Sequence, residues 1–499
     1  MKQTFSLQRV TTRIACIVGA VMFLGAAMHS EIAIAQEIDA AKYIAKLDRQ
    51  AEQMKKSIRQ TKTKIEVTGT KYYVAPDGND SNDGLTPNTP IKSIDKVNSL
   101  QLNAGDAVLF ERGGLWRGHI KSKAGVTYSA YGKGDKPKLY GSPCDAAKEG
   151  VWRETEAKNV WVYEREIAND IGTLVFNHGE ACAFKVMKIN QEDGTTLHIF
   201  TKEKFADYRD LKRDLDFYHD YKDAKRVYLY SAKGNPAERF ESIELLVKGH
   251  TIQGNDNITI DNLCIKYCGS HGIGSGTTKG LTVTNCEMGW IGGSIQAEGI
   301  FGRNHPTRYG NAIEIYGGCD YFLVDNCYIY QVYDAAITHQ HQGDTDQRLT
   351  MRNVRYSNNL VEDCVYSIEY FLGRKDTNQS HYMENVVFEN NLLRRAGYGW
   401  GMQRPDTEPA AHIKSWPHHT NRTTNFVVKN NIFDRSARHL LNINADKLEW
   451  FPTLQGNVYI QHREAQGVDC RGSHAFDKSI GKKLKEWYKE DKATIIYVE

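Results

Sequence analysis

Three acidic residues lie in runs that read as strands. Glu314 sits in Gly-Asn-Ala-Ile-Glu-Ile-Tyr-Gly-Gly (310–318), Glu369 in Tyr-Ser-Ile-Glu-Tyr (366–370), and Asp334 opens Asp-Ala-Ala-Ile-Thr-His (334–339). Apolar residues two apart bury one face of a strand, so an acid between two isoleucines points the other way. Paired carboxylates flanking a bond are what glycosidic hydrolysis needs, one as acid and one as base or nucleophile. Glu314 and Glu369 are the first candidates for that pair, with Asp334 as an alternative partner. The bland reading of each is an outward, solvated acid.

The neighbours extend the chemistry. Tyr316, Gln340, Phe371, Trp400 and Gln403 supply aromatic faces and amides, and His339, His341, Arg374, Arg404 and Lys414 would rim the same surface. Sugars are bound by such mixtures, aromatic faces meeting C–H groups and polar groups meeting hydroxyls. Hydrolysis by two carboxylates requires no cofactor. The competing chemistry is β-elimination from a uronate polymer, which needs a base and a cation to neutralise the sugar carboxylate. The histidines, arginines and Lys414 could supply those parts, and the glutamates could then hold calcium. No G-x-G-x-x-G or P-loop pattern is present, so nucleotide chemistry is not expected.

An internal repeat must position these residues. The lines Ile258–Asn262, Leu281–Asn285, Phe322–Asn326, Val354–Asn358, Val386–Asn390 and Phe426–Asn430 each alternate apolar residues with others and end in Asn, at steps of 23, 41, 32, 32 and 40 residues. A second apolar segment follows most of them, centred on Ile273, Ile337, Ile368, Trp400 and Leu441, with Ile313 in the same series after an insertion. Recurrence of this kind means stacked coils. Asn suits a fixed bend because it tolerates left-handed geometry and its side chain can form a ladder. Overlaying the second segments places Glu314, Thr338, Glu369, Gly401 and Asn442 in one outward column. Tyr316, Gln340, Phe371, Gln403 and Asn444 form the next column, over a floor of Ala312, Ala336, Ser367 and Gly399. Glu314 and Glu369 are then two turns, or roughly 10 Å, apart at the backbone.

This pattern resembles the right-handed parallel β-helix proteins of the pectate-lyase-like superfamily. The stretch Tyr72–Gly141, with its Asp-Gly-Asn-Asp-Ser-Asn-Asp-Gly turn, resembles a leader common in secreted β-helix carbohydrate enzymes. The resemblance covers most of residues 71–460 and assigns no single family. It implies an all-β chain: a right-handed parallel β-helix (solenoid) with a β-rich insertion and a short N-terminal helix. It also implies a carbohydrate-active enzyme acting on a polysaccharide or oligosaccharide, as a glycoside hydrolase or a polysaccharide lyase. A non-catalytic glycan-binding protein is the third reading.

Composition and boundaries complete the picture. The chain has 499 residues and a formal net charge of +3, which gives no electrostatic case for nucleic acid. Lys2, Arg9 and Arg13, the apolar run 14–27 and Ala33-Ile34-Ala35 read as a signal peptide over 1–35. A secreted or periplasmic protein, off the membrane after cleavage, is expected. Residues 36–70 read as a helical linker, 71–462 as the β-helix with 143–250 inserted, and 463–499 as a tail or cap. Nine cysteines remain after cleavage; Cys264 and Cys268 read as buried packing residues. The glycines of Gly397–Pro405 suggest close approach of a ligand or backbone. The stretch 405–425, with His412, His418 and His419, reads as a long loop.

Overall fold

The computed structural model describes residues 39–148, 151–299, 303, 305–341, 348–373, 381–405, 409–417 and 421–499. The expected signal peptide, Arg374, His418 and His419 lie outside the described residues.

Three ten-stranded sheets run the length of a right-handed parallel β-helix, each coil giving one short strand to each sheet. The pairing is parallel along all three, apart from an antiparallel final pair at Gln466–Asp469 and Ser473–Ala475. The first sheet carries the repeat lines, with Ile258↔Leu281, Leu281↔Phe322, Phe322↔Val354 and Val354↔Val386 in register. Alternating side chains from all three sheets fill one continuous core, including Ile260, Ile265, Ile273, Val324, Ile337, Tyr356 and Ile413. A two-residue period therefore decides which residues are left outside as candidates for chemistry.

The repeated asparagines form the bend their spacing predicts. Asn262, Asn285, Asn326, Asn358, Asn390 and Asn430 all have φ between +52° and +61°, a region where Asn carries a smaller penalty than most residues. The residue after each bend points inward. Cys286 and Cys327 are buried there as small free thiols. In later coils Asn359, Asn391, Asn431 and Asn457 take over and build a buried ladder, each Oδ1 accepting the amide N–H of the preceding coil. Glu490 ends the ladder by accepting from the Asn457 side chain at 2.9 Å and the Gly456 amide at 2.9 Å.

Three additions close the coil. Helix α1, Ala40–Gln60, sits inside the stretch read as a linker but is docked on the coil. Its Leu47, Ala51 and Ile58 cover Tyr328, Leu360, Leu392, Ile460 and Ile496 on the outside of the third sheet. Lys55 and Arg59 pair with Glu362 and Glu287, each at 2.8 Å. Helix α2, Ile480–Tyr488, buries Ile480, Leu484 and Tyr488 in the main core, and Thr494–Val498 adds the last strand of the third sheet. The insertion has a five-stranded and a three-stranded sheet over its own core of Trp152, Tyr163, Phe176, Phe217 and Leu229.

Candidate active site

The second sheet carries the acids. Its rungs run Ile273–Ser275, Ile313–Tyr316, Ala335–His341, Tyr366–Leu372, Ala411–Lys414 and Leu441–Asn442. The register Ile313↔Ile337↔Ile368 matches the overlay read from sequence, and Glu314, Thr338 and Glu369 form one outward column.

The next rung differs from that overlay. Ile368 pairs with Ile413, and Glu369 with Lys414, so Trp400 and Gly401 are not in the sheet. They form a short 3-10 turn, Trp400–Met402, in which Trp400 packs on Tyr333 (5.0 Å between centroids) and Trp290 (6.3 Å). A Cβ on Gly399 would lie 1.9 Å from the Asp363 carbonyl oxygen, and one on Gly401 2.7 Å from that of Tyr333. The glycines thus let backbone approach backbone rather than a ligand. The stretch read as a loop contains a rung instead, and the column becomes Gly274, Glu314, Thr338, Glu369, Lys414 and Asn442.

Each acid is held by named donors. The His271 imidazole lies 2.6 Å from Glu314 Oε2, the Asn311 amide donates to the same oxygen at 3.1 Å, and the Gln340 amide donates to Oε1 at 2.9 Å. Burial opposes ionisation of Glu314, but His271 and the two amides outweigh it, and the carboxyl is held below its usual range. Glu369 goes the other way. Burial and then the nearby Asp334 charge push it up to about 8, while the Trp416 N–H and Lys414 pull against them and Glu314 adds to the rise. Trp416 donates its indole N–H to Glu369 Oε1 at 2.7 Å. The Thr338 hydroxyl donates to the other oxygen, Oε2, over a longer 3.4 Å. Asp334 lies at the bend into the Ala335–His341 rung and meets Arg404 Nη1 at 3.1 Å. Lys414 is buried with its Nζ 3.1 Å from Asn442 Oδ1 and 4.2 Å from the centre of the Trp416 ring.

The remaining candidates divide. Tyr316 is 42% exposed and His341 tilts against it at 5.0 Å, so this pair is an open aromatic surface beside Glu314. Gln340 binds Glu314 itself. His339 does not rim the outward surface: the alternation that turns Thr338 outward turns His339 inward, among Tyr356, Tyr370 and Phe388, with Nδ1 2.7 Å from the Tyr356 hydroxyl. Phe371 points outward but is 4% exposed, too covered to be a stacking platform. Gln403 sits off the sheet, its Nε2 3.6 Å from Cys182 Sγ of the insertion. Trp416, His271 and Asn311 are the site residues the sequence overlay missed. Trp416 was hidden by the misplaced rung. His271 and Asn311 stand two residues before the inward Ile273 and Ile313, at the bend where strand alternation stops predicting direction.

Among the described residues, no cluster of three or more His, Cys, Asp or Glu side chains is arranged to hold a metal ion. The oxygens of Glu314 and Glu369 face protein donors.

No family model matches the chain. An alignment 107 residues long, covering 19% of this chain, is 38% identical to a lacto-N-biosidase of Bifidobacterium longum subsp. longum and spans 6% of that protein's length. Among solved structures the chain is similar to XylC in complex with xylose, at TM-score 0.43 and 14% identity over 81% of this chain and 73% of that one. It is also similar to a lacto-N-biosidase from Eubacterium ramulus (TM-score 0.34, 13% identity, 92% and 72% covered) and to pectate lyase Pel9A (0.33, 13%, 81% and 73%).

Proposed function

We propose that this protein is a glycoside hydrolase acting on a polysaccharide or oligosaccharide at the outward face of the second sheet. One observation carries the reading: two carboxyls on a single outward column have their ionisation driven in opposite directions, Glu369 up to about 8 and Glu314 down. Groups separated in this way divide into an acid and a base.

In this reading Glu369 holds a proton at neutral pH and gives it to the leaving glycosidic oxygen. Oε2, whose contact with the Thr338 hydroxyl is the longer of the two, is the oxygen assigned the proton, while Oε1 keeps the Trp416 N–H. Lys414, at the next rung, meets the negative charge that forms on Glu369 as the proton leaves. The ionised partner is Glu314, two coils away, or Asp334, in the adjacent coil. The two predict different products. Glu314, roughly 10 Å off at the backbone, leaves room for a water and predicts inversion; a closer Asp334 predicts attack on the sugar and retention. Tyr316 and His341 supply an aromatic surface for a sugar face. Export through the N-terminal leader, to the periplasm or outside, belongs to the same proposal, since a polymer substrate has to be met there.

The test is a panel of neutral and acidic glycans, scored for new reducing ends and for ultraviolet-absorbing unsaturated products. New reducing ends without unsaturation, lost in Glu369→Gln, support hydrolysis. Lys414 beside Glu369 is the observation favouring elimination, with Lys414 as base, and unsaturated uronate products would replace the hydrolytic reading with that one. Retention of glycans without new ends would leave only binding.

A further inference from the structure

Arg308 is 4% exposed and lies off the second sheet, at a point where three chain segments meet. Its Nε donates to the Gly293 carbonyl at 2.6 Å, in the bend that leaves the third sheet. Its Nη2 donates to the carbonyl of Gly172, in the inserted subdomain, at 2.9 Å, and its Nη1 to the carbonyl of Gln403 at 3.0 Å. Gln403 directly precedes Arg404, the residue that holds Asp334. A second link runs through Tyr333. The Arg308 guanidinium carbon lies 4.6 Å from the centre of the Tyr333 ring, and that of Arg404 lies 4.9 Å from it. Arg404 Nη2 also reaches the Arg308 carbonyl oxygen at 3.4 Å.

Such a fork is specific. Three N–H groups of one planar guanidinium meet three backbone carbonyls from separate segments, a pattern that a lysine ammonium on a flexible stem does not reproduce. The segments also have no room to drift. A Cβ on Gly172 would lie 2.2 Å from the Gly292 carbonyl oxygen, and one on Gly293 2.4 Å from the Trp400 ring.

We infer that Arg308 is a positioning residue, acting through Arg404 to hold Asp334 charged and in place, and that the inserted subdomain is thereby tied to the outward face of the second sheet. This rests on the proposed acid–base reading for its role in the reaction, but the arrangement can be tested in the free protein. Chain labelled with 13C-aspartate is titrated by NMR, and the Asp334 carboxyl resonance is assigned by its loss in Asp334→Asn. Arg404→Gln raises the Asp334 midpoint by about one pH unit or more, because an opposite charge beside a carboxylate favours its charged form. Arg308→Lys raises it by about half a unit or more for the same reason. In the double variant Arg308→Lys adds nothing, since its effect passes through the guanidinium already removed. An Asp334 midpoint unchanged in folded Arg308→Lys, or a further rise on top of Arg404→Gln, overturns the inference. Where Arg308→Lys fails to fold, Tyr333→Leu decides: it removes the ring between the two guanidiniums, and a raised midpoint supports the link while an unchanged one ends it. A protein that cleaves no glycan would sink the proposed function and leave this titration fully readable.

Discussion

Trp416 donates its indole N–H to Glu369 Oε1 at 2.7 Å from the coil that follows the acid. A single hydrogen bond across one coil step thus ties one oxygen of Glu369 to a neighbouring coil. It also opposes the burial and the Asp334 charge that drive the Glu369 carboxyl up to about 8. Replacing Trp416 by Phe removes a donor that favours the charged form, so Glu369 loses its proton at higher pH still. The alkaline limb of kcat moves up in Trp416→Phe; an unmoved limb would show that Glu369 does not set it.

Glu369 itself sets activity and stability against each other. In the proposed role of general acid it works while protonated, so kcat is expected to fall as pH rises through about 8. Glu369→Gln lowers kcat by about 10²–10⁴. The stability effect has the opposite sense. The folded carboxyl is raised above its unfolded value near 4.3, so between those values the folded state binds more protons, and stability falls as pH rises. Glu369→Gln removes that loss and raises Tm at pH 8 by about 2 °C or more. Calorimetry at pH 5 and pH 8 checks the sign, with the gain confined to the higher pH.

The partner carboxylate is decided by product stereochemistry. Glu314→Gln and Asp334→Asn are each assayed for turnover, and the first-formed anomer of the unmodified enzyme is read by proton NMR. Inversion with loss of activity in Glu314→Gln assigns Glu314; retention with loss in Asp334→Asn assigns Asp334. Full activity in both variants would remove the carboxylate pair altogether.

His339 belongs to folding rather than to substrate. Burial holds its imidazole at about 3, and His412 and His250 are lowered to about 4 mainly by the same cause. Each is depressed below the unfolded value near 6.5, so the unfolded state binds more protons as pH drops. Stability is therefore full above about 6.5 and is lost progressively below it. His339→Phe loses the 2.7 Å contact to the Tyr356 hydroxyl but removes one of these titrating groups. Its Tm falls less steeply between pH 6.5 and pH 4 than that of the unmodified protein, whatever the offset at neutral pH. An unchanged slope would mean that His339 is charged in the fold.

Helix α1 is a seal. Without residues 40–60, Tyr328, Leu360, Leu392, Ile460 and Ile496 face water, and Glu287 and Glu362 lose Arg59 and Lys55. A chain beginning after Gln60 is expected to aggregate or to melt about 5 °C or more lower, each buried aliphatic side chain being worth roughly 1.5–3 kcal/mol. Light scattering and thermal melts would show it.

The coil and half of the site were legible in the residues. Alternation of apolar residues, with Asn at a fixed offset, determines that strands stack with Asn262, Asn285, Asn326, Asn358, Asn390 and Asn430 at a left-handed bend. Once the register is known, the same period makes Glu314 and Glu369 face out together and His339 face in. A second left-handed bend was illegible. Tyr267, Trp290, Gln331, Asp363, Arg395 and Arg435 all have positive φ there, and no residue type marks it.

Only the tertiary structure decided what lies beyond that bend, because direction there depends on contacts between distant segments and not on a local period. It swung Trp400 off the sheet onto Tyr333 and put Ile413 and Lys414 in its rung. It also brought Trp416 to Glu369, His271 to Glu314, and Arg404 to Asp334 across 70 residues. The sequence determined by itself that carboxylates line one outward face. Which of them holds a proton follows from burial and from partners in neighbouring coils, and those exist only once the chain has closed on itself.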